Sequence, residues 1–194
     1  MSILDSFDPY SEAIISPATL RPPVEGFPEV FIMTFKDKSL KILQEIARTE
    51  VVITTRAGWD IPHYRFRWNG RELGAFQTVQ GGAGTASLLE EAISMGAKKI
   101  LIYGSCGALD AWLTAGHFII PTQAYRDEGT SYHYLPVGDY VDIPTAERLG
   151  EIFDELDLPY VKGRTWTTDA VFRETRNNME KRKADGCIAV EMEC

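Results

Sequence analysis

Four stretches of the chain put together residue types able to hold a small polar ligand: Gly81-Gly82-Ala83-Gly84-Thr85, Gly104-Ser105-Cys106-Gly107, Thr167-Thr168-Asp169 with Phe172, and Glu191-Met192-Glu193. In the first, Gly82 and Gly84 open a helical pattern. Glycines there admit close backbone approach, and the exposed N–H groups favour an anion or a sugar hydroxyl; a plain tight turn is the competing reading. In the second, small residues follow an apolar run, so Ser105 Oγ and backbone N–H groups can meet phosphate oxygens. No Gly-x-Ser-x-Gly elbow surrounds Ser105, which argues against a nucleophile, and Cys106 has the context of a small core residue. In the third, two hydroxyls and a carboxylate stand beside an aromatic that can lie against a flat ring, and Arg173 can read a carbonyl or face water. In the fourth, a carboxylate at a strand end can accept two adjacent hydroxyls, the grip a ribose diol requires, with a charged, frayed terminus as the alternative. Strand alternation sends Glu191 and Glu193 one way and Met192 the other unless the strand ends there.

For these stretches to serve one site, strands must bring their carboxyl ends together, the usual ligand position in open α/β sheets. Apolar runs and alternation predict strands over 29–35, 51–58, 98–109, 116–125, 160–170 and 187–190. Helical spacing predicts 38–47, 81–97 and 145–156, and the charge-rich 173–186 reads as a solvated helix. Asn69-Gly70 between two alternating runs predicts a hairpin. The sum is an α/β fold, a single domain over 29–194 with a mixed β-sheet flanked by helices. Residues 1–28 contain Pro9, Pro17, Pro22, Pro23 and Pro28, which predicts an extended arm lying on the surface or on a neighbouring subunit.

Composition narrows the function classes. The 194 residues suffice for one well-buried core. A net charge of −8 with scattered Lys and Arg repels phosphate backbones, so no nucleic-acid partner is expected. No stretch approaches the roughly 20 apolar residues that cross a bilayer, and the acidic opening lacks a secretory pattern, so a cytoplasmic protein is expected. Cys106, Cys187 and Cys194 are not spaced like a zinc site, and His63, His117 and His133 share no ligand spacing. Structural or surface roles are expected for the histidines, with no metal or organic cofactor.

Taken in order, "GGAGTASLLEEAISMGAKKILIYGSCGALDAWLTAGHFIIP", "AYRDEGTSYHYLP" and "TWTTDAVFRET" followed by "AVEMEC" resemble the nucleoside phosphorylase and uridine phosphorylase superfamily. The resemblance implies phosphorolysis of a purine or pyrimidine ribonucleoside to free base and ribose 1-phosphate. Phosphate would be the co-substrate, attacking the anomeric carbon of an oxocarbenium-like state. It implies phosphate at Gly104 and Ser105, ribose at Met192 and Glu193, and the base near Phe172 or Val171; Lys38 is the candidate for a further phosphate contact, and Thr168, Asp169 and Arg173 for further base contacts. It also implies a homo-oligomer, dimer or hexamer, whose sites borrow a segment from a neighbour.

The chain departs from the family pattern at four places. Where the family's phosphorylases open their first loop with Gly-Asp-Pro and an Arg, this chain reads Thr34-Phe35-Lys36-Asp37-Lys38. The place of a second Arg is held by Ile102, and lysine or isoleucine does not replace a planar, bidentate phosphate donor. No His precedes His63, although family members lend an N-terminal His to a neighbour's ribose. The family continues past Glu-Met-Glu into a helix, a strand and a loop whose Asp assists the leaving base, a place beyond Cys194. The expectation is therefore a C-terminally shortened relative with its catalytic group unassigned. The departures keep two other readings open, a nucleosidase using water and a catalytically silent nucleoside-binding or assembly subunit.

Overall fold

The computed structural model describes residues 2–194. Among them the chain forms two compact units, Tyr10–Gly104 and Ser105–Cys194, the second joined by the N-terminal segment ending at Pro9.

The unit Tyr10–Gly104 contains α1 (Pro17–Leu20), β1 (Val30–Thr34), α2 (Asp37–Ile46), β2 (Thr49–Arg56), β3 (Asp60–Trp68), β4 (Arg71–Gln77), α3 (Gly82–Met95) and β5 (Lys99–Tyr103). Its five strands lie in the order β2-β3-β4-β1-β5. β3 is antiparallel to β2 and β4, while β1 is parallel to β4 and β5, so the sheet is mixed as expected. The hairpin forms where Asn-Gly placed it: Trp68 faces Arg71, and Asn69 and Gly70 take φ of 47° and 76°, the left-handed pair that a two-residue turn requires. Phe31, Met33 and Phe76 pack against Leu88, Ala92 and Met95 of α3, each at most 2% exposed. The proline-rich segment is not wholly extended. Arg21 Nε donates to Glu91 at 3.0 Å, Val24 N to Met95 O at 3.0 Å, and Phe27 stacks on Phe31 at 4.7 Å, so apolar burial draws its end into the core.

The unit Ser105–Cys194 contains β6 (Gly107–Ala108), β7 (Phe118–Asp127), β8 (Tyr140–Asp142), α4 (Ala146–Glu155), β9 (Tyr160–Thr168), α5 (Arg176–Ala184) and β10 (Cys187–Glu191). The strand order is β6-β10-β9-β7-β8, with β7, β9 and β10 mutually parallel and β6 and β8 antiparallel at the edges. Trp166, Cys187 and Val190 form its buried centre, with Tyr125, Tyr140 and Met179 packed around it. The α/β class with mixed sheets and flanking helices holds. The strands nevertheless divide into two sheets rather than one, because the run predicted over 98–109 breaks at 104–106 and its last residues pair with β10.

Candidate functional site

The residues singled out in the sequence fall in both units, in each case at the carboxyl ends of parallel strands. In Tyr10–Gly104, β1, β4 and β5 end side by side, Thr34 opposite both Gln77 and Tyr103. Their ends lead into Lys36–Lys38, the glycine stretch and Gly104. Lys38 is exposed on the first turn of α2, and Gly82 begins α3. Gly104 lies against Phe35, whose Cδ2 would stand 2.8 Å from a Cβ at that position.

Gly84 has a packing reason of its own. A Cβ there would meet Val79 Cγ2 at 2.2 Å, and Val79 is fixed in turn by Thr85 Oγ1 donating to its carbonyl at 3.1 Å. Gly84→Ala is therefore expected to lower unfolding stability by about 1–3 kcal/mol through overpacking, read from a chemical denaturation midpoint. An unchanged midpoint with weakened phosphate binding would instead make Gly84 a ligand-approach glycine.

In Ser105–Cys194 the parallel ends of β7, β9 and β10 set Asp127 opposite Thr168 and Thr167 opposite Glu191. β10 stops at Glu191, so its alternation does not extend to Glu193 and the two glutamates part company. Glu191 turns inward. Its Oε1 accepts from Thr165 Oγ1 at 3.1 Å and Thr167 Oγ1 at 2.6 Å, and its Oε2 accepts from Glu193 N at 2.7 Å and Cys194 N at 2.6 Å. Burial pushes its carboxyl above the usual carboxylate range, outweighing the four donors, which act the other way. Met192 and Glu193 form the turn that follows, where Glu193 Oε2 accepts from Met192 N at 3.2 Å. Since Val190 pairs with Gly107 antiparallel, the Ser105–Cys106 stretch runs toward this turn. Cys106 is exposed and not the core residue its context suggested, because it lies in the irregular link before β6; partial desolvation, and after it the Glu191 charge, still raise its thiol above the ordinary value, which disfavours a thiolate nucleophile.

The residues expected near a flat ring divide by exposure. Thr168 is 2% exposed and its hydroxyl accepts from Ala170 N at 3.2 Å, while Phe172, on the short 3₁₀ turn Val171–Arg173, is 96% exposed. Arg173 is exposed on the same turn. Asp169 Oδ2 accepts from Gly129 N at 3.0 Å, tying the end of β9 to the loop after β7.

That loop is organised by Arg126, which the sequence did not mark. The side chain is buried, lies 3.9 Å from the Tyr132 ring centre, and donates from Nε to Ser131 Oγ at 2.7 Å and from Nη1 to Pro136 O at 2.6 Å. A guanidinium enclosed by carbonyls and an aromatic face fixes a loop whose regular structure is a short 3₁₀ turn, Thr130–His133. A basic residue next to Tyr125 near the end of a strand run was the available signal.

The sequence model of the Phosphorylase superfamily matches residues 36–194, and the chain belongs to that superfamily. A guanosine phosphorylase of Halorubrum lacusprofundi is 29% identical over 129 residues, which cover 65% of this chain and 53% of the relative. A uridine phosphorylase of Thermococcus kodakarensis is 32% identical over 109 residues, covering 55% of this chain and 39% of the relative. The chain thus spans about half or less of the length of these two relatives. Among solved structures, a uridine phosphorylase from Vibrio fischeri superposes with a TM-score of 0.77 at 16% identity, over 94% of this chain and 77% of that one, which places the fold.

Proposed function

We propose that this chain is a nucleoside phosphorylase-type pentosyltransferase. It takes a ribonucleoside and inorganic phosphate and releases the free base and ribose 1-phosphate. In the reaction the C–N glycosidic bond breaks, a phosphate oxygen bonds the anomeric carbon, and the base leaves with the bonding pair and takes up a proton. The observation that carries this reading is the Met192–Glu193 turn, held at the end of β10 by Glu191 and set beside the threonine-rich end of β9. A carboxylate on such a turn suits a vicinal diol. The exposed ring of Phe172 is proposed for the base together with Thr168, Asp169 and Arg173. Gly104, Ser105 and Lys38 are proposed for phosphate, with no other co-substrate or cofactor. Catalysis of this kind rests on positioning and on stabilising charge in the transition state.

The same reading includes self-association. The edge strand β5 exposes Leu101, Ile102 and Tyr103 at 47%, 41% and 47%, apolar side chains at an open sheet edge that a second copy can cover. No helix among the described residues is long and apolar enough to cross a membrane, and a cytoplasmic place belongs to the proposal.

A nucleosidase is the second reading. Ile102 puts an apolar side chain where the family resemblance calls for an arginine, a change that lowers phosphate affinity and leaves water as the nucleophile. The deciding experiment incubates uridine, inosine, adenosine and methylthioadenosine with and without phosphate and measures base release. Release only with phosphate is expected. Equal release without it would establish the nucleosidase, and binding with no release would mark a silent nucleoside-binding subunit.

A further inference from the structure

The motif ends in two carboxylates, and the structure gives them different work. Glu191 cannot grip a ligand with the atoms it presents, because both oxygens are already occupied, each by two donors from within the protein. The four donors come from two sources, which the pairing of β9 with β10 sets side by side and which Thr167 Oγ1 also links weakly by its 3.4 Å approach to Cys194 O. Two are hydroxyls of β9, Thr165 and Thr167, both at most 2% exposed; two are main-chain N–H groups of the residues that follow Glu191. A group that receives four donors and offers none must be an acceptor at every position, which an ionised carboxylate satisfies and an amide does not. The backbone amides of Glu193 and Cys194 are thereby folded back over Oε2, and the chain bends at Met192 directly after the end of β10.

We infer that Glu191 is the positioning residue of the site: its carboxylate clamps the Met192–Glu193 turn to the end of β9, so that Glu193 is held in the orientation a ribose diol requires. The inference rests on the ribose reading above for its functional consequence. It departs from a reading in which both glutamates contact sugar, since Glu191 acts only through the turn. It also gives the buried hydroxyls of Thr165 and Thr167 a purpose that a strand interior does not otherwise need.

The test uses the full chain and the variant Glu191→Gln, in which the new NH₂ group must face either two hydroxyls or two amides. Two quantities are measured: hydrogen exchange of the Glu193 and Cys194 amides, and calorimetric affinity for uridine and inosine against their 2′-deoxy forms. The wild type is expected to protect both amides and to favour the ribonucleosides. E191Q is expected to exchange both amides faster and to lose roughly 10- to 100-fold in ribonucleoside affinity, the range for a charge-assisted hydrogen bond. Deoxynucleoside affinity should change far less, so the preference collapses toward unity. A merely structural defect would weaken both nucleoside classes alike. Thr167→Val, which removes one donor at nearly constant volume, should move the preference the same way by a smaller factor and serves if E191Q does not fold. An unaltered preference in folded E191Q, or amides already unprotected in the wild type, overturns the inference. If the wild type binds no nucleoside, the ribose reading fails, while protected amides that E191Q releases would still uphold the clamp.

Discussion

Trp166→Ala is expected to lower the unfolding free energy by about 3–5 kcal/mol, the cost of deleting a large aromatic from a packed interior. Trp166 is 1% exposed at the centre of the sheet of Ser105–Cys194, where it packs with Cys187 and Val190. Its Nε1 also donates to Asp127 Oδ2 at 2.9 Å, linking β9 to β7 at their carboxyl ends. Alternation along β9 turns Thr165 and Thr167 toward Glu191 and Trp166 toward the opposite face, so the ring supports from behind the strand that carries the clamp. Trp166→Phe separates the two contributions. It keeps most of the apolar volume and loses the donor, for an expected cost of about 1–3 kcal/mol. Denaturant unfolding with an unchanged slope measures both variants. A loss under about 1 kcal/mol in the alanine variant would show that the ring does not hold this core.

What the sequence revealed was whatever depends on near neighbours. The Asn69-Gly70 turn carries its own φ preference, and α3 and α4 follow from apolar spacing, so all three appear where they were read. The position of the candidate residues at strand ends was also legible, because strand–loop boundaries are marked by glycine and hydroxyl residues. Side-chain partners were not. Glu191 meets Thr167 across 24 positions, Asp169 meets the Gly129 amide across 40, and Arg126 is defined by a loop that becomes visible only when folded. The β-branched and aromatic run likewise predicts that 98–109 is extended without saying which sheet each part joins. Tyr103 pairs with Thr34 while Gly107 pairs with Val190, and this choice of partner divides one predicted sheet into two.

Stability is expected to fall by about 3 kcal/mol between pH 6.5 and pH 4 through His63 alone, on top of any carboxylate titration. His63 is fully buried on β3, its ring stacked on Phe76 at 4.4 Å and flanked by Phe27 and Phe31. Nδ1 lies 3.1 Å from the carbonyl of Ile61, which can only accept, so Nδ1 carries the proton of the neutral ring. Nε2 has no hydrogen-bond partner among the described residues, and protonating it would place a charge and an unsatisfied donor among phenylalanines. Burial therefore lowers the pKa from 6.5 to about 4. Between those values the unfolded chain binds a proton that the native state refuses. The contribution is complete above pH 6.5 and is lost as the pH falls toward 4. Urea unfolding across this range should show a slope of up to about 1.4 kcal/mol per pH unit from this group near pH 5–6, above the main carboxylate range. In His63→Leu the slope in that window should flatten. Equal slopes in the two proteins would mean that the imidazole takes up its proton without disturbing the core, and that the aromatic enclosure of His63 is looser than its burial requires.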